Sequence, residues 1–444
     1  MHRICILLVG LFCLTACTTS EVIVAHSVDL VSSVEAIPEE QLLDVGIVVF
    51  DPGVPEGEIG EDELEELLDQ GTYVQVRRTE ALYMAVELRD TLQTSGHWGG
   101  VWVSPNASTA ADLNVTAEIQ QSDGANVRLL VMAEDAAGRV WLDEPYELET
   151  AAGAFNRRRY PDKDPYQDLF NSISNDLAAI RADLSDEEAR GIRTVAELRY
   201  AAELSPEAFD GYVAEGRRGV FEPVRLPAAE DPTFGRTQQI RQREQLFFDT
   251  LNQHYASFSS EAAPTYDSWR EYAREEAIAI REITRQSRWQ TGLGIASILA
   301  AIAYGSNSSN DAYSDYLIQQ GITHIGMEMI RSGAIRRQER RLHTETLEEL
   351  SLSFDEAVEP LVVEIQGTQH RLTGTVEAQY AEWRDLLKQL LASETGFEPE
   401  NLDVYVEVET QPAEESPSLE VQAPPGEEAD AEEAVTDANG GAAS

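Results

Sequence analysis

The chain has 444 residues, long enough for two or three domains, and 42% of them are hydrophobic, ample for real cores. Against 33 Lys and Arg stand 80 Asp and Glu, a formal net charge of −47 at pH 7. A nucleic-acid binder needs a basic surface that releases counterions, so nucleic acid is excluded as a partner, and the anionic exterior suits solubility instead.

Met1-His2-Arg3 gives the chain a positive start, Ile4 to Leu14 is almost wholly apolar, and Leu14-Thr15-Ala16-Cys17 sets small residues before a cysteine. That is the plan of a secretory signal peptide over residues 1–16. Eleven apolar residues fall well short of the roughly 20 that span a bilayer. The stretch Leu14-Thr15-Ala16-Cys17 resembles the lipobox of bacterial lipoproteins. The resemblance implies that Cys17 becomes the first mature residue, thioether-linked to diacylglycerol and acylated on its amine. Cys17 is then the one expected site residue, a lipid attachment, and the membrane is the expected partner. Thr18 rather than Asp follows it, which by the same resemblance implies sorting to the outer membrane, on its periplasmic face. The other two of the three cysteines, Cys5 and Cys13, leave with the signal peptide. No thiol remains for a disulfide, a metal or redox chemistry.

Residues 17–40 read as a tether, and no Lys or Arg occurs between Arg3 and Arg77. Val45 to Phe50 is a β-branched run that predicts a buried strand. Asp51 to Asp69 holds nine carboxylates and no base. It lacks the alternating ligands, glycine turn and terminal Glu of a calcium loop, so it reads as a solvated acidic loop. Thr79 to Ser95 predicts an amphipathic helix, with Leu82, Ala85, Val86 and Leu92 on one face and Gly96 as its stop. Strands follow at Trp98 to Val103, Asp112 to Ile119 and Asn126 to Glu134, with Ser122-Asp123-Gly124 turning the last two, and then at Val140 to Leu142. Asp164-Pro165 opens a helix as N-cap and first-turn proline, and Tyr166, Leu169, Phe170, Ile173, Leu177 and Ile180 form its apolar stripe.

"DVGIVVFDPG", "EALYMAVELRDTLQTSGHWGGVWVSP" and "ADLNVTAEI…VRLLVMAEDAAGRVW" together resemble the small α/β domain of CsgG-type and TolB-amino-terminal-type envelope lipoproteins. The resemblance covers residues 42 to 184, about a third of the chain. It implies a scaffold or assembly role in the envelope, often oligomeric, and carries over no catalytic residue. The acidic insert after Asp51 departs from the pattern.

From Ser185 the sequence turns helical, beginning with the capping box Ser185-Asp186-Glu187-Glu188. A Pro-rich link over Glu222 to Pro232 marks a domain boundary. Ile240, Phe247, Leu251, Tyr255 and Phe258, then Trp269, Ala273, Ala277, Ile280 and Ile283, predict two helices packed as a hairpin. Thr291 to Gly305 carries no charge, and Gly292, Ala296 and Ala300 recur every four residues, a spacing that lets helices approach closely. With Ile318 to Met329 it predicts a second, Gly/Ala-rich hairpin over Trp289 to Ile335, flanked by arginines. Burial in the helical core is the preferred reading of it, with self-association or lipid contact as the alternative. Leu361 to Ile365 and His370 to Val376 predict a β-hairpin, Glu377 to Ser393 a helix, and Asp403 to Glu409 an edge strand. After Gln411 the composition is that of a disordered acidic tail.

The expected fold class is therefore α+β. A small α/β sandwich domain ordered β-α-β-β-β-α spans 41–184, and a helical connector with the Pro-rich link spans 185–235. A helical domain spans 236–356, a hairpin, helix and edge strand span 357–410, and the tail spans 411–444. Motifs that carry chemistry are mostly absent: no nucleophile elbow, Walker loop, His-Glu-x-x-His or Cys-x-x-Cys occurs. Asp162, Asp164 and Asp168 are better explained by helix capping than by calcium, and His97 beside Trp98 by packing at the strand entry. The expectation is a lipid-anchored, non-enzymatic scaffold or assembly factor without cofactor or metal, partnered by the membrane and by a second copy or another envelope protein. The alternatives are an oligomeric secretion or pore component and a cell-wall hydrolase working through carboxylates.

Overall fold

The computed structural model describes residues 27–290 except 56, 58, 70, 152, 157, 161, 162, 217 and 218, together with 344–347, 361–365 and 368–396. The described residues form an α+β fold, and all of them fall in one unit that ends before Glu400. Cys17, most of the Trp289–Ile335 segment, the 403–409 strand and the 411–444 tail lie outside the described residues.

β1 (Val45–Val48) is hydrophobic without alternation because both its neighbours are parallel strands. The acidic stretch that follows is not all loop, as the sequence had suggested. Glu61–Asp69 forms helix α1, with Glu61, Asp62 and Glu63 in its first turn, where the helix dipole favours carboxylates. α2 (Val74–Ser95) starts five residues before the expected Thr79 and ends on Gly96 at φ 71°, the left-handed cap the sequence predicts. It returns the chain to β2 (Val101–Ser104), which pairs parallel with β1. β3 (Leu113–Ser122), β4 (Asn126–Asp135) and β5 (Val140–Glu149) then complete a five-stranded sheet in the order β2-β1-β3-β4-β5. β5 runs well past the expected Leu142. Its Pro145 is tolerated because β5 is an edge strand.

α3 (Gln167–Asp183) opens two residues later than Asp164-Pro165 predicted, and Leu169, Phe170, Ile173 and Leu177 are buried as expected. α4 (Asp186–Leu204) carries the capping box in full, Ser185 and Glu188 each satisfying the other's backbone. A short helix α5 (Pro206–Phe209) and a small ribbon of β6 (Val213–Glu215) with β7 (Phe221–Pro223) lead on.

The largest correction concerns the next element. Where two helices in a hairpin were expected, the structure has a single helix α6, Pro232–Gln290, of 59 residues. At 1.5 Å per residue it is about 88 Å long. The segment Ser259 to Pro264 contains no glycine to turn the chain, and Ala262 and Tyr266, four residues apart, are both buried. The buried stripe thus keeps its phase through Pro264, which is exposed and remains inside the helix. Nor does α6 found a separate domain at residue 236. One hydrophobic cluster includes Val45 and Leu129 of the sheet, Phe247, Phe248 and Leu251 of α6, and Trp383 and Leu387 further on.

β8 (Val362–Ile365) and β9 (Thr368–Arg371) form the expected hairpin, and α7 (Val376–Thr395) follows. α7 docks on α6 through Trp383, stacked on Phe247 with centroids 5.4 Å apart, and through Tyr380 and Arg384, which both donate to Glu244 at 2.7 Å.

α6 also closes the free edge of the sheet. The Asn252 side chain accepts from the Val103 N–H at 2.9 Å and donates to the Val103 carbonyl at 3.0 Å, standing in for a further strand beside β2. Arg89 donates to the same Asn252 oxygen at 3.0 Å. Asn252→Ala leaves two buried backbone groups without a partner and is expected to cost about 2 kcal/mol, read from urea unfolding.

Candidate functional site

In an open sheet with parallel strands, ligands bind in the crevice outside the carboxyl ends of the strands, where the connections diverge. Here β1 connects through α2 to β2 on one side, while β3 lies on the other. The switch-point crevice of this sheet therefore lies beyond Val48 and Ser122, at the ends of β1 and β3.

Three elements converge there. α2 brings Arg77, Glu80, Tyr83 and Glu87, the segment before α3 brings Asp164 and Tyr166, and α6 brings Tyr266, Asp267 and Arg270. Arg270 is fully buried. Its guanidinium donates to both oxygens of Asp164, at 3.1 and 2.7 Å, and also meets Asp267. The rings of Tyr266, Tyr166 and Tyr83 surround it at 4.1, 4.7 and 5.4 Å, a cation–π enclosure. Tyr83 donates to Asp164 at 2.9 Å, and the backbone N–H of Tyr166 does so at 2.7 Å. Asp164 is thus no simple helix cap: its carboxylate is engaged by Arg270, and α3 begins beyond it.

Deeper in the same place lies Glu80, also fully buried. It accepts from Ser122 at 2.6 Å and from Tyr266 at 2.8 Å, and Arg77 stands 3.6 Å away. Arg77 itself donates to the Ile119 carbonyl at 3.0 Å. Burial raises the Glu80 carboxyl above its usual range, with Arg77 opposing. Burial would raise Asp164 too, but the Arg270 charge and its hydrogen bonds outweigh that and hold it below the usual range. The crevice is filled by α6, and its ions are paired with one another.

Two further polar knots tie α6 down. Near its start Arg241 donates to the Ala110 carbonyl at 2.7 Å and to Asp112 at 2.9 Å, and Asp112 accepts from the Asp44 N–H at 2.8 Å. At the α7 junction Glu244 and Glu203 both take Arg384, beside a cleft of about 340 Å³ lined also by Ser108, Thr109 and Lys388.

Two carboxyls here titrate near neutrality. Asp112 is pushed up to about 6, chiefly by burial, with the Asp44 charge adding to it and Arg241 opposing. Glu87 is pushed up to about 7, again chiefly by burial, with Asp164 and Asp90 adding to it. Both values lie above the ordinary carboxylate range, so the folded chain keeps protons that the unfolded chain releases. The stability they contribute is present at low pH and is lost as pH rises through about 6 and then about 7. Unfolding midpoints are expected to fall as pH rises from the ordinary carboxylate values of 3.8 and 4.5 to about 7, and Glu87→Gln is expected to flatten the upper part of that fall.

The other residues marked by the sequence do not come together. The ring nitrogen of His97 lies 3.2 Å from the Val31 carbonyl, and Trp98 is buried against Trp141. Asp168 pairs with Lys163 at 2.7 Å, not with Asp164. Among the described residues no group of three or more His, Cys, Asp and Glu is placed to hold a metal. Among them, too, no helix is long and apolar enough to cross a membrane.

Arg270 escaped the sequence reading although a signal existed. Tyr266, Arg270 and Ala273 follow the spacing of the apolar stripe, so the arginine occupies a core phase of the helix. A long cation in that phase announces a buried partner. No family model, curated protein or solved structure matches this chain.

Proposed function

We propose that this chain is a lipid-anchored lipoprotein of the outer membrane that serves as a non-enzymatic scaffold or assembly factor, held to the bilayer through Cys17. The anchor reading rests on the apolar run Ile4 to Leu14 and on Leu14-Thr15-Ala16-Cys17. The non-enzymatic reading is supported above all by the strand-end crevice. There Tyr266 and Arg270 occupy the space a substrate would need, and Asp164 and Glu80 are tied into hydrogen bonds that hold the fold together.

Such a protein acts by presenting surface rather than by turnover, and its long rigid helix and polar knots suit that role. The test is Cys17→Ser. Labelled palmitate is expected to enter the wild-type protein and not the variant, and the variant is expected to move from the membrane to the soluble fraction with its melting temperature unchanged. Retention of Cys17→Ser in the membrane fraction would overturn the anchor.

A further inference from the structure

Residues 27 to 31 lie along α3. The Val31 N–H donates to Asn175 at 2.8 Å, Asn175 donates to the Asp29 carbonyl at 2.9 Å, and Asn171 donates to the Val28 carbonyl at 2.7 Å. The Val28 N–H reaches Asp168 at 3.2 Å, and the Ser27 hydroxyl accepts from Lys163 at 3.0 Å. Traced backward, the chain climbs α3 to its amino-terminal end, where the loop joining β5 to α3 arrives.

That loop reverses the charge of the protein. In a chain of net charge −47, residues 157–163 hold three arginines and Lys163 against the single acid Asp162. Arg158, Arg159 and Tyr160 are exposed, and the Arg159 guanidinium lies 5.3 Å from the centre of the Tyr160 ring. Arg158 also lines a cleft with Arg274 of α6, where Glu271 and Glu275 offset their charge. Ser27 lies ten positions after Cys17. Fully extended, that stretch reaches about 35 Å, so an anchored Cys17 holds this end of the molecule within that reach of the lipid.

We infer that the β5–α3 loop, through Arg158, Arg159 and Tyr160, is a membrane-contacting surface that recognises anionic phospholipid headgroups and orients the anchored body. The inference rests on the anchor proposed above. Arginine pairs with phosphate through its planar fork, tyrosine suits the headgroup layer, and each basic residue near an anionic leaflet strengthens contact about fivefold. Lys163 contributes by fastening the tether beside the loop, through Ser27 and Asp168.

The test uses the full lipid-modified protein in vesicles of phosphatidylcholine with or without phosphatidylglycerol, carrying a nitroxide headgroup quencher. Lipid occupies Cys17 in the mature protein, so a single added cysteine can be labelled with a fluorophore. Ala151→Cys places it in the exposed loop and Glu187→Cys at the exposed start of α4, beyond the far end of α3. The loop probe is expected to be quenched at least about threefold more than the far probe, more strongly with phosphatidylglycerol and less at high salt. Arg158→Glu with Arg159→Glu is expected to abolish that excess while the protein still floats with vesicles. Flotation with equal quenching at the two positions, or with quenching indifferent to the charge reversal or to phosphatidylglycerol, would overturn the inference alone. A lipid-modified chain that does not float would sink the anchor on which it rests.

Discussion

Replacing Arg270 by methionine is expected to cost about 3–5 kcal/mol of folding stability, the range found when one partner of a buried ion pair is removed. Methionine keeps the length and apolar bulk of the stem, so the loss is not a packing void. What remains is Asp164, buried and held charged by a guanidinium that is gone, with Tyr83 and one backbone N–H as its remaining donors. Its carboxyl then loses the main influence lowering its pKa, and burial, which raises it, prevails. The variant should therefore be more stable at acid pH than at neutral pH, where Asp164 must ionise or stay protonated at a cost. Adding Asp164→Asn to Arg270→Met should recover a large part of the loss, because the uncompensated charge is removed. Arg270→Lys should recover little, since an ammonium cannot hold both Asp164 oxygens and pack its face against three tyrosine rings. Urea unfolding of the wild type and these three variants at two pH values decides this. Equal loss in the single and double variants would mean that the ion pair is not what locks α6 into the crevice.

Much of the fold was legible in the sequence where local physics dominates. The alternation in Leu113 to Ile119 and in Val127 to Ala133, the Gly96 cap and the Ser185–Glu188 box each point to the element they form. The misreadings arise where a local signal is overruled from a distance. Pro264 marks a break by its chemistry, yet the helix continues because Ala262 and Tyr266 on either side are both held in the core. Asp164 before Pro165 has the composition of a cap, yet Arg270, far along the chain, takes its carboxylate. Asn252 looks like an ordinary polar residue on a helix, and only the neighbouring β2 edge reveals its role. Such couplings need the third dimension. The expected lipid attachment at Cys17 rests on the linear stretch Leu14-Thr15-Ala16 alone, and Cys17 lies outside the described residues.

Gly124→Ala should cost about 4 kcal/mol, and a second glycine in the same protein separates its causes. Gly124 turns β3 into β4 at φ 75°, a left-handed conformation in which a side chain costs about 1–2 kcal/mol. A methyl there would also stand 2.1 Å from the Arg270 carbonyl oxygen and 2.7 Å from the Arg274 nitrogen, both backbone atoms of α6. Neither can rotate away, so the helix must lift from the hairpin, an overpacking cost at the upper end of about 1–3 kcal/mol. Gly153 has a similar φ of 87°, but nothing lies within 4 Å of where its methyl would go. Gly153→Ala should thus show the backbone cost alone, about 1–2 kcal/mol. The difference between the two variants measures how tightly α6 is seated over the strand ends. Lifting α6 at Gly124 also strains the adjoining contacts, where Arg270 meets Asp164 and Arg274 donates to the Thr150 hydroxyl at 3.0 Å. Gly124→Ala and Arg270→Met should accordingly be less than additive when combined, since both loosen the same turn of the same helix. Full additivity would show that the hairpin and the ion pair hold α6 independently.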